Sequence, residues 1–162
     1  MTRGKEPIAM PVTTVARSLF RGLFALSLGV AAISANAQNM VSISGSTVNM
    51  RDGPGLKSTV LWELRRGFPL QVTERRGDWL AVKDFEGDTG WVARSLTSDE
   101  PYHIVTSKIL NVRSGPGTNN EVVTQAQYGE LLKTLEKRDD WVRVERETGE
   151  SGWVAERLVW GW

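Results

Sequence analysis

Cysteine is absent from the 162 residues, and histidine occurs once, at His103. Without cysteine there is no disulfide framework, thiolate nucleophile, iron–sulfur cluster, cysteine-ligated zinc or lipid-modified cysteine anchor. A single histidine argues against a histidine-based metal site and leaves one candidate base for a Ser-His-Asp triad. No phosphate loop, dinucleotide fingerprint, nucleophile elbow or zinc motif is present. The sequence therefore predicts no metal, no cofactor and no enzyme. Hydrophobic residues make up 40% and charged residues 24%, which excludes a wholly disordered chain and a polytopic membrane protein. What is plentiful is tryptophan, seven in all, and glycine, sixteen. That balance leans toward a binding module.

The first residues read as an address. Arg17 and Arg21 precede an apolar run from Gly22 to Ile33, and Ala35-Asn36-Ala37 follows it. A basic segment, a short apolar core and a small-x-small site make a secretory signal. The run falls short of the ~20 residues that span a bilayer. We expect a signal peptide over 1–37, cut between Ala37 and Gln38, with Met10 as an alternative start. No stable membrane span is expected after cleavage, and the product would be periplasmic or secreted. The separated arginines argue against a twin-arginine route. Export also changes the charge. The chain has 20 basic and 19 acidic side chains. The leader removes Arg3, Lys5, Arg17, Arg21 and Glu6, leaving a net charge of about −2. Such a chain has no general electrostatic reason to bind nucleic acid.

The remainder is one unit written twice. Asn49-Met50-Arg51-Asp52-Gly53-Pro54-Gly55 aligns with Asn111-Val112-Arg113-Ser114-Gly115-Pro116-Gly117. The offset is about 62 residues and persists without a gap. Asp78-Trp79 meets Asp140-Trp141, and Gly90-Trp91-Val92-Ala93 meets Gly152-Trp153-Val154-Ala155. Leu70 and Val72 alternate with polar neighbours, as do Leu80 with Val82 and Val142 with Val144. A period of two with one apolar face is a half-buried strand, and Gly, Pro and Asp separate the runs. The prediction is all-β: two tandem small barrels of about five strands each. The expected boundaries are 38–98 and 104–162, with an acidic, proline-bearing linker over 99–103 that carries a solvated His103.

The ordered set Asn-x-Arg-x-Gly-Pro-Gly, Gly, Asp-Trp-x-x-Val and Gly-Trp-Val-Ala resembles the bacterial SH3-like domain family. The resemblance covers both copies. It implies SH3-type β-barrels and non-catalytic binding, often beside cell-wall hydrolases, with peptidoglycan or peptide as ligand.

Alternation places Trp79 and Trp141 on the polar face of their strands, beside Lys83 and Arg143. A partly exposed Trp offers flat apolar area and one N–H donor, as a peptide or glycan groove needs. The other reading is a Trp lying over a loop to close the barrel. Arg51 and Arg113 either reach a ligand carboxylate or pin the Gly-Pro-Gly loop through a backbone carbonyl. Trp91 and Trp153 read as packing anchors. Trp62, Tyr128 and Phe85 stand where the other copy has Thr124, Arg66 and Glu147, so the fold does not require them. They are partner contacts, contacts between barrels, or drift. We count Trp79, Trp141, Trp62, Tyr128, Arg51 and Arg113 as candidate ligand contacts. Trp160 and Trp162 either pack back on the barrel or dock on a partner. The acidic residues, Asp84 to Asp88 among them, read as solvated turn residues with no EF-hand spacing. Expected partners are peptidoglycan, or an envelope protein or peptide.

Overall fold

The computed structural model describes residues 39–162. The expected signal segment, with its predicted cut between Ala37 and Gln38, lies outside them. The first barrel contains β1 (Met40–Ile43), β2 (Thr47–Arg51), β3 (Val60–Arg65), β4 (Pro69–Arg76), β5 (Trp79–Lys83), β6 (Thr89–Ala93), a 3-10 turn (Arg94–Leu96) and β7 (Thr97–Ser98). The second repeats this as β8 (Tyr102–Val105), β9 (Ile109–Arg113), β10 (Val122–Gln127), β11 (Leu131–Arg138), β12 (Trp141–Arg146), β13 (Ser151–Ala155), a 3-10 turn (Glu156–Leu158) and β14 (Val159–Gly161).

Hydrogen-bonded neighbours run β3-β2-β6-β5-β4-β1-β7 in one sheet and β10-β9-β13-β12-β11-β8-β14 in the other. The two orders are the same once the repeat offset is applied. Seven segments stand where about five were expected, because each barrel adds a short strand at both ends of its copy. Every strand pairing is antiparallel, and both long hairpins carry a bulge at matching places, between Val72 and Glu74 and between Thr134 and Glu136. A bulge bends its strand, as closing a small barrel requires.

The β3-β2 and β10-β9 hairpins join the rest of their sheets where β2 touches β6 and where β9 touches β13, through the single pairs Arg51–Trp91 and Arg113–Trp153. Glycine permits that approach. A Cβ on Gly152 would lie 2.6 Å from Arg113 O, and one on Gly90 would lie 2.9 Å from Arg51 O. The alternating positions fill the interiors. Val41, Ile43, Met50, Leu70, Leu80 and Val82 belong to the first core, and Val105, Val112, Leu132, Val142 and Val144 to the second.

The expected linker is corrected at its end. Tyr102 and His103 are the first residues of β8, and His103 is 1% exposed rather than solvated. It stands at the place of Val41, a core residue of the first barrel. Its Nδ1 lies 2.7 Å from Thr134 Oγ1, and Thr134 stands where the first copy has Val72. A hydrogen-bonded pair thus occupies the place of two valines. This satisfies the buried ring nitrogen. Only 99–101 join the barrels, and they are tied from both sides. Ser42 Oγ donates to Glu100 O at 2.8 Å, and Thr134 N donates to Pro101 O at 3.0 Å.

Candidate functional site: the Trp141 cleft

A cleft of about 550 Å³ opens beside Trp141, lined by Thr118, Asp140, Trp141, Ala155, Glu156 and Arg157. Three local features build it. The hairpin between β11 and β12 turns through Asp139, whose φ of 50° is tolerated by Asp better than by most residues. That turn delivers Trp141 to the first position of β12, half-buried and on the face opposite Val142. The 3-10 turn after β13 is held beside it, since Glu156 N donates to Asp140 O at 2.9 Å. Thr118 comes from the loop after Gly115-Pro116-Gly117. Arg113 Nη1 fixes that loop by donating to Asn120 O at 2.7 Å.

The wall is amphoteric. Asp140, Glu156 and Arg157 stand around an indole, and Glu156 Oε1 accepts a hydrogen bond from Lys137 Nζ at 2.6 Å. A peptide laid over the indole would meet apolar area with donors and acceptors at its rim. At the matching positions the first barrel carries Leu56, Asp78, Trp79, Ala93, Arg94 and Ser95. Trp79 is half-buried there as well, but Leu56 is 80% exposed and Arg94 takes the place of Glu156.

The remaining candidates scatter. Arg51 Nη1 donates to Ser58 O at 2.8 Å, matching Arg113 and its loop. Both guanidiniums thus hold the loop carbonyl that the sequence offered as the alternative to a ligand. Trp62 is 54% exposed on the edge strand β3, next to Val60 and Leu61. Tyr128 instead joins the two barrels. Its ring lies 5.7 Å from Phe85, and its Oη donates to Glu86 Oε1 at 2.6 Å. That carboxylate pushes the Tyr128 hydroxyl above the usual phenol range. Two of the three copy-specific aromatics therefore meet each other across the barrels. Trp160 and Trp162 are half-buried. Trp160 pairs with Ile104 in β14, and Lys137 Nζ donates to Trp162 O at 2.8 Å.

Trp91 and Trp153 lie under Arg76 and Arg138, at 4.8 and 5.0 Å from guanidinium carbon to ring centroid. Asp84 corrects another expectation. It is 7% exposed, and its Oδ1 accepts the N–H groups of Glu86 and Asp88 at 3.0 and 2.9 Å. Burial nonetheless raises its carboxyl above the usual range. Sequence reasoning missed Thr118, Ala155, Glu156 and Arg157. The available signal was their position directly after Gly-Pro-Gly and Gly-Trp-Val. Among the described residues no cluster of three or more His, Cys, Asp or Glu is placed to hold a metal, and no helix is long and apolar enough to cross a membrane.

Residues 44–99 match the family described as bacterial SH3 domain, and residues 109–159 match a second family of the same description. The chain is a tandem pair of bacterial SH3 domains. A putative N-acetylmuramoyl-L-alanine amidase, YrvJ of Bacillus subtilis (strain 168), is 28% identical over 134 residues, covering 76% of this chain and 26% of the relative. A serine/threonine-protein kinase D of Synechocystis sp. (strain ATCC 27184 / PCC 6803 / Kazusa) is 42% identical over 55 residues, covering 30% of this chain and 11% of its own. The matched stretches thus span about a quarter of the first relative and about a tenth of the second. Among solved structures, an NlpC/P60 family protein from Bacillus cereus ATCC 10987 aligns at 14% identity and TM-score 0.35, over 76% of this chain and 56% of that one. NlpC1 from Trichomonas vaginalis aligns at 12% identity and TM-score 0.35, over 75% and 45%.

Proposed function

We propose that this bacterial SH3 pair is an exported, non-catalytic binding module. It holds peptide, and in particular the stem peptide of peptidoglycan, in the Trp141 cleft of the second domain. The observation that carries this reading is the cleft itself: a half-buried indole walled by Asp140, Glu156 and Arg157. Similarity to a protein named as an amidase of N-acetylmuramoyl-L-alanine supports a wall ligand. A leader of the secretory kind supports a periplasmic or secreted site of action.

A second reading has an observation of its own. Val60, Leu61 and Trp62 lie exposed on the edge strand β3. Exposed apolar edge strands pair readily with other chains. In that reading the protein docks an envelope partner and takes no small ligand. Trp160 and Trp162 contribute less to it than expected, since both are half-buried in the second domain.

Intrinsic Trp fluorescence, titrated with soluble peptidoglycan fragments, separates the two. The wall-binding reading expects a saturable change that Trp141→Ala abolishes and Trp62→Ala leaves intact, with the fold checked by circular dichroism. No change with any fragment, followed by capture of an envelope protein that Trp62→Ala releases, would support the docking reading instead.

A further inference from the structure

A second cleft, of about 400 Å³, lies between the two domains. Ser46, Arg65 and Arg66 of the first domain contribute to it, and so do Tyr102, Leu131, Lys133 and 145–147 of the second. It shares no residue with the Trp141 cleft.

The repeat relation explains how it arises. Phe85 and Tyr128 close one side of the junction. Under the repeat offset, Phe85 corresponds to Glu147 and Tyr128 to Arg66. Both of those residues line the open cleft. Equivalent positions of the two copies therefore face each other twice, once as an aromatic contact and once as a gap between charges. Such reciprocal contacts are what a two-fold arrangement of related units generates.

The charges in the gap are of two kinds. Lys133 is paired with Glu100 at 2.5 Å, and Arg146 with Glu130 at 2.6 Å. Arg65, Arg66, Glu145 and Glu147 have no ion pair among the described residues, although all four line the one cleft. All four side chains are exposed. The guanidiniums come from the first domain and the free carboxylates from the second. Tyr102 and Leu131 are half-buried between them, and the Tyr102 ring lies over Gly67, where a Cβ would come within 2.7 Å of Cε1. The Tyr102 hydroxyl is pushed up mainly by burial. The Glu100 and Glu145 carboxylates add to that rise, while Lys133 and Arg66 oppose it. Charges from both domains are thus felt at one ring.

We infer that this inter-domain cleft binds a zwitterionic group, the amino-acid unit of a short peptide bearing both a free carboxylate and a free ammonium. Arg65 and Arg66 take the carboxylate, for which the planar guanidinium fork is suited. Glu145 and Glu147 take the ammonium. Tyr102 and Leu131 cover the apolar part of the ligand. The volume falls within the ~300–1,000 Å³ range of small-molecule pockets. The inference does not depend on the Trp141 cleft, and a neutral or singly charged ligand there leaves it untouched.

The test is a titration of the ¹⁵N-labelled protein with glycylleucine, N-acetylglycylleucine and glycylleucine amide, followed by amide chemical shifts. The free dipeptide is expected to shift Tyr102 and Leu131 saturably. Blocking either end should weaken binding at least about tenfold, the loss of one charge-assisted contact. In Glu145→Gln/Glu147→Gln, acetylation of the ligand should cease to matter. In Arg65→Gln/Arg66→Gln, amidation should cease to matter. These substitutions are on the surface, so the spectra also report an intact fold. Equal binding of free and blocked dipeptides would overturn the proposal, as would shifts confined to Trp141 or no saturable shift at all. The last result would leave the four charges as a steering pair between the domains.

Discussion

The first domain fills its interior with Ile43, Met50, Leu64 and Leu80, where the second has Val105, Val112, Ala126 and Val142. Four positions in the second core are therefore smaller, against larger residues at Leu110, opposite Val48, and at His103, opposite Val41. Interiors do not tolerate that much empty space. The second domain draws in its last segment instead. Trp153 is 7% exposed where Trp91 is only half-buried, and Leu158 and Val159 pack on the core where Leu96 is 41% exposed. The comparison shows one backbone plan filled from two sources. One domain packs its strands with larger side chains, and the other recruits Leu158 and Val159, from the segment that ends in β14, while Trp153 is buried on the outer face of β13 beneath Arg138. The 3-10 turn itself is held alike in both domains, by Arg94 N to Asp78 O at 2.8 Å and Glu156 N to Asp140 O at 2.9 Å, so the walls beside Trp79 and Trp141 differ in side chains and not in backbone.

The sharpest way to break the comparison is to truncate the two equivalent tryptophans. Trp153→Ala should cost about 3–5 kcal/mol, the range for a buried aromatic, and Trp91→Ala roughly half as much. Urea unfolding of each variant reads this directly. Equal losses would mean that the deeper burial of Trp153 beneath Arg138 adds nothing to its domain's stability.

Acid should separate the domains next. Burial holds the His103 imidazole down to about 4 from an unfolded value near 6.5. Lys137 holds it down as well, whereas the Trp162 backbone and Glu156 act the other way. The folded form keeps the ring neutral, so its stabilising contribution is complete above pH 6.5 and is lost as the pH falls toward 4. The loss amounts to roughly 3 kcal/mol in the second domain. Val41 gives the first domain no such term. Thermal unfolding from pH 7 to pH 4 should show one transition falling ahead of the other.

A smaller effect comes from splitting the polar pair. Thr134→Val alone leaves the His103 nitrogen unpaired and should cost about 1–3 kcal/mol. Adding His103→Val restores the valine pair of the first domain. It should recover most of the loss and remove the acid sensitivity. The smallest effect is expected from Tyr128→Phe. It removes the hydrogen bond to Glu86 but keeps the ring against Phe85. Unfolding should be unchanged, and NMR relaxation should report faster motion of one domain against the other.

Much of this fold is legible in the sequence. The offset, the alternation at Leu80/Val82 and Val142/Val144, and the turn glycines suffice for two SH3 barrels. The short strands β1, β7 and β14 are not legible, because two to four residues carry no period. His103 misleads for a related reason. A histidine two residues after a proline reads as surface, and the partner of its buried Nδ1, Thr134, stands 31 residues away. The cleft divides the same way. Trp141 follows from alternation, whereas Glu156 and Arg157 reach it only because a 3-10 turn folds back onto Asp140.

The central claim is that the second domain holds the wall peptide beside Trp141. Amide shift mapping of the protein with soluble peptidoglycan stem peptides tests it most directly. The account predicts saturable shifts at Thr118, Asp140, Trp141 and 155–157, with Asp78 and Trp79 responding more weakly. Shifts centred on Trp79, or none in either domain, would contradict it.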